Sequence, residues 1–170
     1  IPIPFRSRDG CTGSLSIPQG ITALPSEAFH NCGFNGTLTL HNGITNIAND
    51  AFANCHFKGE LHLPKSLKVI SENAFCNNDF SGTLTLPSTL THIGSNAFAY
   101  NWRLMGILDI PQEVESIGEN AFSNCKMLEG IIFPESMETI RQGAFNECYG
   151  INSIICKGTM PAHIESGAFD

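Results

Sequence analysis

The residues with the widest chemical range are seven cysteines, six histidines and sixteen carboxylates in a chain of 170 residues. Thiolates and imidazoles ligate zinc, thiolates attack carbonyls or oxidise to disulfides, and paired carboxylates move protons or hold calcium. Each use needs several such groups to converge, and the spacing works against it. Cys32, Cys55, Cys125 and Cys148 occupy one position of a recurring segment, a position filled by Asn78 and Asn101 in two other copies. A place shared by Cys and Asn calls for a small group, packed in a turn, that can hydrogen-bond. Cys11 stands where other copies have Phe, Cys156 stands at an apolar strand position, and Cys76 falls at a variable place. No CxxC or HxxxH spacing occurs, which argues against zinc. Side chains stacked from copy to copy run about 4.8 Å apart, whereas disulfide Cβ atoms sit ~3.8 Å apart. Reduced thiols are therefore expected, and the odd count leaves at least one free sulfur.

The histidines, His30, His41, His56, His62, His92 and His163, are scattered over different places of the repeat, with His62 facing outward from a strand. No GxSxG, glycine-rich phosphate loop or HExxH is present, so no catalytic residue, metal or cofactor is expected. Glycines 13, 36, 59, 82 and 106 each lie two residues before a strand and read as turn residues. Most of the acidity of the second half, including Asp109, Glu129 and Glu135, lies in turns that point to water. That is a solvated rim, and no segment has the oxygen density of a calcium loop.

The elements that position these groups are set by repetition. Seven Ala-Phe pairs, at 28–29, 51–52, 74–75, 97–98, 121–122, 144–145 and 168–169, follow one another at intervals of 23 or 24 residues. Ahead of each pair lies an apolar-x-apolar triplet, usually followed by Pro, as in Leu61-His62-Leu63-Pro64 and Leu108-Asp109-Ile110-Pro111. Alternation with a proline stop predicts a short strand. A fixed apolar position follows at Leu24, Ile47, Ile70, Ile93, Ile117, Ile140 and Ile164. One such coil cannot bury its own apolar face, so neighbours must stack into a solenoid with parallel strands, one from each coil. At about 4.8 Å per strand, seven make a sheet roughly 30 Å long.

The coils are of two subtypes with the same number of residues. Early coils carry Cys32-x-Phe34-x-Gly36-x-Leu38 and its relatives at 55–61 and 78–84, and late coils carry Cys125-x-x-Leu128-x-x-Ile131 and Cys148-x-x-Ile151-x-x-Ile154. The junction coil, residues 101–108, takes the longer half of each, gains one residue and holds the only Trp, Trp102. Asp9 and Cys11 fit the coil register, Arg6 replaces its Phe, and the chain stops one residue after Phe169, which reads as a piece of a longer protein.

The pattern apolar-x-apolar-Pro-x-x-apolar-x-x-Ile-x-x-x-Ala-Phe-x-x-Cys, seen from Leu108 to Cys125 and from Phe133 to Cys148, closely resembles the leucine-rich repeats of BspA-like surface proteins. The resemblance covers residues 10–170, and its departures are modest: Asn78 and Asn101 for Cys, His41 and Lys157 for Pro. The fold expected is an α/β-type leucine-rich repeat solenoid, one domain over residues 1–170. It is a right-handed coil of about seven repeats, with one parallel sheet on the concave face and turns or short 3-10 or helical segments on the convex side. The resemblance implies a cell-surface or secreted adhesin that attaches to host matrix proteins or other cells.

Composition narrows the partners. Nine basic against sixteen acidic residues leave no basic stripe for nucleic acid. No apolar run spans a membrane, and residues 1–10 lack the apolar core of a signal peptide, so an export signal, where used, has been removed. The face open to a partner is the outer side of the parallel sheet. Strand alternation places Ser16, Thr39, His62, Thr85, Asp109, Ile132 and Ile155 in one column, with Ile107 beside it and Trp102 and Met105 just before the junction strand. Thr39, His62, Thr85, Trp102, Ile107, Asp109, Ile132 and Ile155 are the candidate ligand-binding residues. Two functions stay open: a binding module whose late coils present an apolar patch to a host extracellular matrix or cell-surface glycoprotein, and a spacer that displays another domain. Self-association through open solenoid ends is also expected.

Overall fold

The computed structural model describes residues 11–161 and 163–170, so Arg6 and Asp9, read as the start of the coil register, lie outside the described residues. The described residues wind through fourteen strands, two to a coil. The first seven are β1 (Leu15–Ser16), β2 (Ala23–Leu24), β3 (Leu38–Thr39), β4 (Asn46–Ile47), β5 (Lys58–Gly59), β6 (Val69–Ile70) and β7 (Asp79–Thr83). The rest are β8 (His92–Ile93), β9 (Arg103–Asp109), β10 (Ser116–Ile117), β11 (Met127–Phe133), β12 (Thr139–Ile140), β13 (Ser153–Cys156) and β14 (His163–Ile164). All pairing is parallel. From the first rear strand, β2, to the last, β14, the chain makes about six turns of a parallel-sheet β-solenoid, slightly fewer than the seven repeats expected, around one contiguous buried cluster from Ile17 to Ala168.

The even-numbered strands form the rear sheet, seven strands long. In the six from β2 to β12, the fixed Leu or Ile points inward and its neighbour outward. The expected convex-side helical segments are absent among the described residues, and the α/β assignment is corrected to all-β. The reason lies in the Ala-Phe turn. The residue before Ala is left-handed in coil after coil, at Glu27, Asp50, Asn73, Asn96 and Asn120, with φ of 53–58°. A second left-handed residue follows two places after Phe, at Asn31, Asn54, Asn77, Tyr100, Asn124 and Glu147. Two such reversals around three residues forbid a continuing α-helix. They turn alternate N–H groups toward the next coil instead. Phe52 donates to the Ala74 carbonyl at 2.9 Å, Phe75 to Ala97 at 2.9 Å and Phe98 to Ala121 at 2.8 Å.

The same turn drops each Phe onto its neighbour. Phe29, Phe52, Phe75, Phe98, Phe122, Phe145 and Phe169 form one stack, with ring centroids 5.2–5.6 Å apart and planes within 12° of parallel. In the early coils a second stack, Phe34, Phe57 and Phe80, meets the first edge-on at 6.1 Å. In the late coils Leu104 and Leu128 are the buried strand residues, and Phe133 packs edge-on against Phe145 at 6.0 Å. The two subtypes thus fill one core with differently placed rings.

The odd-numbered strands form the front face, where the sequence predicts one continuous sheet along the apolar-x-apolar triplets. The structure departs from this twice. β1 pairs only with β3, while β5, β7, β9, β11 and β13 form a separate five-stranded sheet. At Leu61-His62-Leu63 and Leu84-Thr85-Leu86 the ladder moves upstream into β5 and β7, so the triplets themselves are not strands. Gly59 and Gly82, at φ 78° and 79°, lie two residues before these triplets, as does Gly106, at φ 75°, before Leu108 in β9, where the ladder continues. Between β9 and β11 the register shifts once, with Leu128 opposite Gly106 and Gly130 opposite Ile107. Glu129 is the extra residue, a bulge.

The stack makes a graded stability prediction. Phe75→Ala removes a ring buried between two others and is expected to cost about 3–5 kcal/mol, whereas Phe169→Ala, stacked on one side and partly exposed, costs much less. Urea melts of both variants check the order. Asn96→Gly is expected to be neutral or stabilising and Asn96→Ala to cost about 1–2 kcal/mol, because the left-handed turn penalises a Cβ without Asn's local hydrogen bonds.

Candidate functional site

The front face carries two adjoining crevices, and both exist because the triplets are not zipped into the ladder. One, of about 510 Å³, lies between Asn42, Glu60, Leu61, His62, Leu63, Lys65, Thr83, Thr85 and Pro87. The other, of about 270 Å³, is bounded by Thr83, Thr85, Leu86, Ser88, Ile107, Asp109, Gln112 and Lys157. Thr83 and Thr85 line both. His62 is exposed, its Nε2 3.6 Å from a Glu60 carboxylate oxygen.

The eight expected site residues separate into groups. His62 and Thr85 share the larger crevice; Thr85, Ile107 and Asp109 share the smaller. Ile132 lies in register between Asp109 of β9 and Ile155 of β13. Thr39 lies in the separate two-stranded ladder, away from both crevices. Trp102 precedes β9 and is 48% exposed, with the Arg103 guanidinium 5.1 Å from its ring. Ile107 and Ile155 are each 49% exposed, as expected. Ile132 is only half-buried rather than open. Lys157, two residues past Ile155, reaches back two coils to Asp109 at 2.9 Å and spans the column that Ile132 occupies.

Four contributors were not among the expected residues. Lys157 was visible only as a departure from Pro; a cation on the outward parity of its strand, two coils from Asp109, was the usable signal. Met127, exposed on β11, sits opposite Met105 on β9 and widens the apolar surface. Glu60 and Asn42 enter through the displaced triplet, which the spacing alone does not reveal.

The shared Cys/Asn position has a uniform role. From Cys55 onward each side chain donates to the carbonyl of the Phe one coil earlier: Cys55 to Phe29 at 2.9 Å, Asn78 to Phe52 at 2.8 Å, Asn101 to Phe75 at 2.8 Å, Cys125 to Phe98 at 3.3 Å and Cys148 to Phe122 at 3.1 Å. Asn78 Oδ1 in turn accepts from the Phe57 N–H at 3.0 Å. All seven cysteines are unbridged. Burial, slightly offset by a backbone hydrogen bond, pushes the Cys55 and Cys148 thiols up to about 12, and burial holds Cys125 well above its ordinary value. These are protonated structural donors. Among the described residues no group of three or more His, Cys, Asp or Glu is placed to hold a metal ion, and no helix is long and apolar enough to cross a membrane.

Short parallel strands, two to a coil, around stacked apolar positions define a leucine-rich repeat solenoid. The BspA-type leucine-rich repeat region family matches residues 5–108 and 100–170 in six copies, and the chain belongs to that family. Among solved structures it is similar to a leucine-rich repeat protein from Bacteroides ovatus, with 26% identity and a TM-score of 0.74 over 90% of this chain and 39% of the other. A leucine-rich cell surface protein from Faecalibacterium prausnitzii aligns at 24% identity and TM-score 0.55, over 86% of this chain and 32% of that one. The leucine-rich repeat protein of T. pallidum aligns at 22% identity and TM-score 0.74, over 89% and 72%. The chain thus spans about two fifths of the Bacteroides protein and a third of the Faecalibacterium one. No curated protein sequence matches.

The raised thiols set a pH dependence. The folded state holds protons that the unfolded state releases above the ordinary thiol value of 9.0, so stability is complete below about 9 and falls toward about 12. Urea midpoints measured across that range are expected to decline, and less so in Cys55→Asn, which keeps a donor that does not titrate. In the native state Cys55, Cys125 and Cys148 are expected to resist alkylation that labels all seven thiols in urea.

Proposed function

We propose that the chain is a non-catalytic protein-binding module of a cell-surface or secreted, adhesin-like protein, which engages a host extracellular matrix or cell-surface glycoprotein through its front face. The observation that carries this reading is the run of large apolar side chains left in water on adjacent late strands. Trp102, Met105 and Ile107 lead along β9, Met127 lies beside them on β11, and Ile155 lies on β13. The repeat's own core needs none of them, and an aromatic and aliphatic centre with a polar rim at Asp109, Lys157 and Glu129 is the composition of protein interfaces. A surface location is supported by family membership and by the printed description of the Faecalibacterium neighbour.

The spacer reading has its own support in the uninterrupted Phe stack and rear sheet, which make a regular rod. Self-association would mimic partner binding, so binding is to be measured on material shown by light scattering to be monomeric.

Wild-type protein is expected to bind an immobilised matrix glycoprotein saturably, and Ile107→Lys with Ile155→Lys is expected to weaken that binding at least about tenfold with unchanged folding. Ser16→Lys, on the far coils, leaves it unaltered. Absence of binding by wild type across matrix glycoproteins sinks the adhesin reading. A full-length protein that tolerates the charged variants and fails only when coils are deleted is a spacer.

A further inference from the structure

The turn after β3 differs from its counterparts. In five coils the turn begins with proline, Pro18, Pro64, Pro87, Pro111 or Pro134, and its carbonyl accepts from the N–H three residues on. His41 fills that place here, and its carbonyl accepts from the Ile44 N–H in the same way. The two residues between are Asn42 and Gly43, both exposed. The Gly43 N–H donates to His41 Nδ1 at 3.1 Å. Nδ1 therefore carries the lone pair, which puts the proton of the neutral ring on Nε2, a buried atom without a hydrogen-bond partner. A Cβ at Gly43 would meet the imidazole Nδ1 and Cε1 at 3.1 Å, so a larger residue there would press the ring away from the amide by a few tenths of an ångström. On the other side of Asn42, its amide oxygen accepts the backbone N–H of Lys65 from the next coil at 3.0 Å.

We infer that Asn42–Gly43 is a built-in self-deamidation site, with His41 as general base and the Lys65 N–H as oxyanion donor. His41 Nδ1 takes the Gly43 amide proton as that nitrogen bonds to Asn42 Cγ. Negative charge forms on Oδ1, against the Lys65 N–H. The protonated imidazole returns its proton to Nδ2, the Cγ–Nδ2 bond breaks and ammonia leaves a succinimide. Water then opens the ring to aspartate or isoaspartate. The product places a carboxylate on the wall that Asn42 shares with Glu60, His62 and Lys65.

The chain contains its own control. Asn35–Gly36 is the other Asn–Gly pair, and Asn35 Oδ1 likewise accepts a backbone N–H, from Gly13 at 2.9 Å. The Gly36 N–H, however, donates to the Gly13 carbonyl at 2.9 Å, which is no base. Whole protein is incubated near neutral pH, and aspartate and isoaspartate at each pair are followed by peptide mass spectrometry. In folded protein Asn42 is expected to convert at least about tenfold faster than Asn35, with the difference lost in urea. His41→Pro, the residue of the other turns, and His41→Leu are each expected to bring Asn42 down to the Asn35 rate with an unchanged urea midpoint. Equal rates at both pairs in folded protein, or an Asn42 rate that neither His41 variant lowers, overturns the inference.

Discussion

The structure depends on an unmet need of the Ala-Phe turn. Alternate N–H groups of the turn point out of their own coil, so they keep their hydrogen bonds only when another coil supplies the carbonyls. Phe75 to Ala97 and Phe98 to Ala121 are two rungs of that ladder. A buried amide without a partner costs more than a formed hydrogen bond returns, which makes the solenoid cooperative across coils even though each coil touches only its neighbours. The ring stack follows from the same geometry, since rungs near 2.9 Å hold successive Phe side chains in ring contact. The side chain at the Cys/Asn position completes the arrangement by donating to the Phe carbonyl of the preceding coil.

Much of this was legible in the residues. The Ala-Phe interval fixes coil length, the Leu/Ile position fixes what each rear strand buries, and the exchange of Cys for Asn reveals a donor whose acceptor could not be named. Short 3-10 or helical segments were expected on the convex side, as the alternative to turns, because the repeat resembles leucine-rich repeats. The contrary signal was present as Asn, Asp or Gly before most of the Ala-Phe pairs, residues that tolerate left-handed backbone. Glu27 takes that conformation too, as does Tyr100 in the second reversal, and nothing in their residue types announces it.

The front face was read less well, because alternation reports which side chains point outward and is silent on whether neighbouring backbones pair. Ile107 and Ile155 are exposed as their parity requires. Ile132 obeys the same parity, but the Lys157–Asp109 bridge spans its column. The crevices at His62 and Thr85 lie where the Leu61–Leu63 and Leu84–Leu86 triplets fall outside the ladder, which the repeat spacing does not announce.

The bulge at Glu129 lets coils of unequal construction share one core without disturbing the register beyond it, where β11 and β13 again pair residue for residue. A gene encoding such an array can gain or lose whole units by unequal recombination, and a junction between mismatched units still yields a protein that folds. Length and surface chemistry then become separately heritable: copies add reach, while substitutions at outward positions alter what the surface recognises.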